Sequence, residues 1–285
     1  MRLVLLLALL LTACSKVETP PYGFATSPEQ RFHFEANERT DVDGTQVRIV
    51  RLADVRLFAQ RDASDSSADT ELSLFIERYF LRVEGMPGGD SELSISENGV
   101  RAVTREGPLE LRPDEHTPAG DTVNEMRSRP AASVTLDAAG EATSGIWTSP
   151  HPLWAGVALL DWMLLALPTR EPMDRKPWPV KRLLPQVGNY ALGVDLPMTW
   201  EEKAGPLALR GAGALSRDSL RLAENFEGKV AIEARSEADL AEDGRVREAR
   251  VQLRLDFQAT NGARVQSSHD IRVTCTGCDA PVNSP

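Results

Sequence analysis

Cysteine and histidine are scarce in this chain of 285 residues, with three of the first and four of the second. Three cysteines, at positions 14, 275 and 278, exclude a scaffold built on several disulfides. The histidines, His33, His116, His151 and His269, stand singly, so no HExxH pair or histidine cage for a metal can be assembled from neighbours in sequence. A GxSxG elbow, a phosphate loop and a dinucleotide fingerprint are likewise missing. His33 and His269 fall on the polar faces of expected strands and read as solvated. His116, in RPDEHTPAGD beside Asp114, Glu115 and Asp121, reads as part of a solvated acidic loop. DASDSSAD groups Asp62, Asp65 and Asp69 but lacks the glycine and closing glutamate of a calcium loop, so a hairpin tip is expected there. From these absences we expect no catalytic residue, no metal and no cofactor, and hence no enzyme.

Basic stretches are also lacking. Lys and Arg number 32 against 42 Asp and Glu, for a formal charge of −10. Nucleic-acid affinity rests on cations neutralising phosphates, so a nucleic-acid partner is not expected. The same acidity disfavours adhesion of the whole surface to anionic lipid. No apolar run is long enough to span a membrane, which takes about 20 residues. The two that come nearest are Leu3 to Leu11 and Leu153 to Leu167.

The first of these opens the chain as MRLVLLLALLLTACSKVE. One basic residue, Arg2, precedes the apolar run, and Thr12-Ala13-Cys14 follow it, the pattern of a signal peptide. Leu11-Thr12-Ala13-Cys14 resembles the lipobox of bacterial lipoproteins. The resemblance implies cleavage before Cys14, acylation of its sulfur and amino group, and a lipid-anchored mature chain in the bacterial cell envelope. Ser15 in place of Asp implies, by the enterobacterial form of the rule, passage to the outer membrane. Loss of residues 1–13 removes Arg2 and leaves a formal charge near −11. More than one acyl chain on Cys14 makes anchoring durable without help from the protein surface. Residues 14–30, rich in proline and without periodicity, read as a lipidated tether.

Residues 31–278 read as one β-rich domain, followed by a short tail over 279–285. In the first β half, 31–145, FHFEA, TQVRI and ELSLFI alternate with period two. The apolar parity slips within QVRIVRLADVRLFAQ and again in ERYFLRV, which predicts bulges in both. Asn98-Gly99 suits a type I′ hairpin turn. In the second β half, 186–278, KVAIEA, REARVQLRLDFQ and ARVQSSHDIRVTC predict an antiparallel meander turned at Asp243-Gly244 and Asn261-Gly262. The two halves share short phrases, DGTQVR and DGRVRE, but no fixed-period repeat.

Between them, residues 146–185 form a helix and a Pro/Trp-rich crossover. Ser149 and Pro150 can start the helix and Pro168 can end it. From Leu153 to Leu167 the sole ionisable residue is Asp161. A helix apolar on every side must be surrounded, and at about 22 Å it is too short to span. It is therefore expected in the core, with Trp154, Leu160, Trp162 and Leu164 forming either packing or the wall of an apolar-ligand site. Asp161 is expected to find an arginine or a backbone donor there.

CTGC closes the last strand. A redox motif would open a helix instead, and zinc would lack a fourth ligand even with His269. A small Cys275–Cys278 disulfide is the preferred reading. The expected fold is mainly β, an antiparallel curved sheet or two related sheets with one central apolar helix. This is similar to the half-barrel-and-helix architecture of periplasmic lipoprotein carriers and lipid-binding lipoproteins, without a shared motif. Function is expected to be non-enzymatic, by protein contact or assembly at the envelope, or alternatively by carriage of a lipid or other apolar ligand.

Overall fold

The computed structural model describes residues 29–61, 69–112, 121, 124, 128–137, 141–143, 155–168, 176–184, 194–203, 208–223, 226–241 and 244–276. Seven strands come first: β1 (Glu29–Val42), β2 (Thr45–Arg61), β3 (Thr70–Glu84), β4 (Ser91–Ser96), β5 (Gly99–Thr104), β6 (Gly107–Leu111) and β7 (Ala132–Leu136). A helix, α1 (Ala155–Ala166), precedes six more: β8 (Trp178–Leu183), β9 (Asp195–Glu202), β10 (Ala208–Ala223), β11 (Phe226–Leu240), β12 (Val246–Ala259) and β13 (Arg264–Cys275). The expectation of a mainly β chain around an apolar helix is met, and one curved antiparallel sheet is formed rather than two.

The strand order is β6-β5-β4-β3-β2-β1-β13-β12-β11-β10-β9-β8. Two meanders thus join through the first and last strands, where Phe32 faces Cys275 and Val42 faces Val265. The path is that of an up-and-down barrel left open between β6 and β8. β7 pairs with Thr70–Leu74 of β3 while β4 takes Tyr79–Val83, so one long strand supports two neighbours along the same edge.

Period-two alternation decides which face is dry. Val251, Leu253, Leu255 and Phe257 are buried while Gln252 and Arg254 are exposed. Phe32, Phe34 and Ala36 of β1 and Ile271 and Val273 of β13 continue the same face. Full burial of a Leu or Phe contributes about 1.5–3 kcal/mol, so this surface is the main source of stability.

The expected slip in β3 is present. Asp54 faces Arg78 but Val55 faces Ile76, so Glu77 is an extra residue and the buried parity passes from Ile76 to Tyr79. The slip expected in β2 is not. Its register with β1 is unbroken, and the odd residues Ala53, Val55, Leu57 and Ala59 are all buried. What interrupts the apolar pattern is Arg51, which takes an inward place on that same parity. Nor is Asn98-Gly99 the hairpin turn. Ser96 faces Gly99, so Glu97-Asn98 make the turn. Gly99 instead begins β5 at φ 118°, where a Cβ would come within 2.0 Å of the Leu111 carbonyl oxygen. A type I′ geometry occurs at Asp43-Gly44, φ 50° and 87°, between β1 and β2. The expected turn at Asn261-Gly262 is formed, with Gly262 at φ 91°.

Helix α1 lies on the inner face, against β3, β7, β8, β11, β12 and β13. It ends as expected before Pro168. Its last carbonyls have partners in the sheet: Arg182 Nε donates to Leu164 O at 3.0 Å and Ser236 Oγ to Ala166 O at 3.0 Å.

Candidate functional site

The inward parity of four central strands brings polar groups together beneath α1. On β1 the run Phe32, Phe34, Ala36 continues to Glu38 and Thr40, and on β13 Val273 and Ile271 continue to His269 and Ser267. Arg51 on β2 and Tyr79 on β3 complete the group. The polar neighbours of His269 in sequence predict a solvated ring, but its side chain is fully buried. The parity of its own strand, shared with Ile271 and Val273, carries the correct assignment. His33 sits on the outer face as expected, half exposed, with Nδ1 2.8 Å from Asp54 Oδ1.

The contacts run in a line. Thr40 Oγ1 is 2.9 Å from Ser267 Oγ, which is 2.7 Å from His269 Nε2. His269 Nδ1 is 3.3 Å from Glu38 Oε2, and the other carboxylate oxygen of Glu38 pairs with Arg51 Nη1. Tyr79 is hydrogen-bonded to the Arg51 guanidinium. The ring of Trp162 covers His269, with centroids 4.9 Å apart and planes inclined by 36°.

Burial, and then the positive charge of Arg51, lower the His269 pKa to about 3. The imidazole is therefore neutral at pH 7. Ser267 Oγ donates to the Arg39 carbonyl oxygen at 3.3 Å and lies beside His269 Nε2, while Nδ1 stands next to Glu38 without a hydrogen bond among the described residues. Burial also lowers the Arg51 pKa and raises that of Tyr79.

The order Ser267, His269, Glu38 is that of a nucleophile, base and orienting carboxylate. Its electrostatics oppose that chemistry. In a working relay the carboxylate stabilises the imidazolium formed when the base takes the serine proton. Here the Glu38 charge is balanced by Arg51, and a base with a pKa near 3 accepts a proton poorly at neutral pH. Trp162 and the sheet also cover the ring. The arrangement is held by ion pairing and by packing under Trp162, with both Glu38 oxygens, Arg51 Nη1 and His269 Nδ1 lacking hydrogen bonds among the described residues, and it is poorly made as a general base.

Leu160 and Trp162 are fully buried and Leu164 nearly so, in the core as expected. Cys14, Trp154 and Cys278 lie outside the described residues, as do His116, His151, residues 62–68 and Ser149, the expected start of the helix. Cys275, at the end of β13, is disulfide-bonded. Asp161 corrects an expectation. Neither an arginine nor a backbone donor holds its side chain among the described residues, and burial raises its pKa to about 8. It is a neutral acid at pH 7, so protonation rather than pairing removes the cost of a buried charge.

No family model matches the chain, and no curated protein matches it. Among solved structures, DynF from the dynemicin biosynthesis pathway of Micromonospora chersina is 8% identical with a TM-score of 0.25, over 90% of this chain and 82% of that one. The ywiB protein of Bacillus subtilis is 10% identical with a TM-score of 0.22, over 89% and 99%. OccK7 (OpdD) of Pseudomonas aeruginosa is 8% identical with a TM-score of 0.25, over 87% and 98%. Likeness at this level carries no function to the chain.

Proposed function

We propose that this chain is a lipid-anchored protein of the bacterial envelope, held in the outer membrane through acylated Cys14, and that it works by contact with an envelope protein rather than by catalysis. The observation that carries the non-catalytic part is the filled interior: Leu159, Leu160, Trp162 and Ala166 have no exposed surface. The quenched basicity of His269 supports the same reading. The anchor rests on Leu11-Thr12-Ala13-Cys14 after the apolar run. Contact would then fall to the outer face, where charged residues such as Arg250, Arg254 and Arg264 are exposed. Metabolic labelling with a fatty-acid analogue tests the anchor. The wild-type chain should be labelled and Cys14→Ala should not, and label retained by the variant would refute it.

A second reading is favoured by one feature, the sheet left open between β6 and β8 around an all-apolar helix. An apolar ligand would need α1 to give way. Mass spectrometry of lipids co-purifying with the protein separates the two readings, since a stoichiometric lipid supports carriage and its absence supports contact. The Cys275–Cys278 pairing belongs to the same proposal. Titration of the denatured, unreduced protein should find neither thiol free.

A further inference from the structure

A hollow of about 880 Å³ lies across the outer face of β3, β2, β1, β13, β12 and β11. Its floor is one row of the ladder. Glu84 faces Arg48, Arg48 faces Arg39, Arg39 faces Ser268, Ser268 faces Arg254, and Arg254 faces Glu233. Two arginines directly opposed on neighbouring strands repel each other, and a third stands on the far side of a single serine. Elsewhere on this face arginines are matched by carboxylates, as in Arg250–Asp270 and Arg264–Asp256.

Most of the acids around the hollow are already engaged. Glu84 pairs with Arg48 and Arg82, Asp256 with Arg264 and Gln266, and Asp41 accepts from Gly44 N and Gln46 Nε2. Arg39 and Arg254 are exposed and have no ion pair among the described residues. Glu233 is the one acid of the hollow left to offset them. β1 and β12 are two strand spacings apart, about 10 Å, so two guanidinium forks can close on one small anion above the Ser268 hydroxyl. The inner network holds the backbone beneath them, since Ser267 Oγ, next to Ser268, lies 3.3 Å from the Arg39 carbonyl oxygen.

We propose that Arg39, Arg254 and Ser268 form a binding site for a phosphate group. Guanidinium forks match phosphate oxygens in pairs, and a serine hydroxyl supplies a further donor. The site is local and independent of the acidic net charge, of the lipid anchor and of which reading of function holds.

The test uses the full chain in a nonionic detergent, titrated with inorganic phosphate at fixed ionic strength against chloride. Phosphate should bind saturably and raise the melting temperature more than chloride does. Arg39→Gln and Arg254→Gln should each weaken binding by about tenfold or more. Arg250→Gln, on the same face but outside the hollow, should leave it unchanged. Equal effects of phosphate and chloride, or equal losses in all three variants, would overturn the site. Glycerol phosphate, the soluble part of a phospholipid headgroup, identifies the source. Binding about tenfold tighter than inorganic phosphate assigns a lipid headgroup, and equal or weaker binding assigns free phosphate.

Discussion

Arginine meets carboxylate on both faces of the sheet, between β12 and β13 outside and between β1 and β2 inside, in opposite surroundings. On the outer face Arg250 makes two bonds to Asp270, at 2.8 and 2.6 Å, with both side chains about half exposed. On the inner face Glu38 is 1% exposed and pairs with Arg51 under Trp162 and His269. Water screens the first pair and competes for it, so its geometry overstates its worth. The second pair has no water to return to. Its net contribution is small, because desolvation offsets attraction, but removing one partner leaves a charge stranded. The same chemistry is therefore dispensable on one face and obligatory on the other.

The largest effect should come from placing a new charge on the inner face with no partner at all. Leu160→Asp should cost more than about 4 kcal/mol, a large part of the roughly 5–15 kcal/mol a domain possesses. Loss of the cooperative melting transition is the readout, and an unchanged melting curve would place α1 outside the core. Next, Arg51→Met should cost about 3–5 kcal/mol by stranding Glu38. Adding Glu38→Gln should recover most of that loss in denaturant unfolding. Failure to recover would mean that Arg51 matters for packing rather than for charge.

Asp161 sharpens the comparison through pH. Its folded pKa, about 8, lies above the ordinary value of 3.8, so between these limits the folded state holds a proton that the unfolded state has released. Stability therefore falls as pH rises from about 4 to 8. Asp161→Asn should remove that slope and stabilise the protein at pH 7 by on the order of a few kcal/mol. His269 acts in the opposite sense. Its folded pKa of about 3 lies below the ordinary 6.5, so its contribution is lost as pH falls through that window. Asp161→Asn should thus expose an acid-side loss that the wild-type protein partly masks; parallel pH curves for the two proteins would contradict the Asp161 assignment, and a variant curve that stays flat from about pH 7 to 3 would contradict that of His269. The smallest effect belongs to the outer pair. Arg250→Gln should cost less than about 1 kcal/mol and less still in high salt. A loss as large as that from Arg51→Met would abolish the distinction between the faces.

Much of the fold is legible in the order of residues along the chain. Val251, Leu253, Leu255 and Phe257 announce a half-buried strand because side chains alternate with period two. Gly262 announces its turn because a positive φ costs glycine little. The run from Leu153 to Leu167 announces a surrounded helix because nothing in it can face water. The inner network is hidden at two residues for one reason. Arg51 looks like a slip of register and His269 like a solvated side chain when each is judged by its polarity, while the parity of their strands puts them inside.

Composition and periodicity alone determined the strand-rich class and the buried helix, both of which depend on residues near one another in the chain. Only the tertiary structure decided that β1 pairs with β13, that the open edges are β6 and β8, and that Glu38, Arg51 and His269 share one dry site. Those outcomes depend on groups far apart in sequence. Glu38 is held inside beside Arg51 while Asp161, with no such partner among the described residues, is held there as the neutral acid, and no local pattern records which of the two will occur.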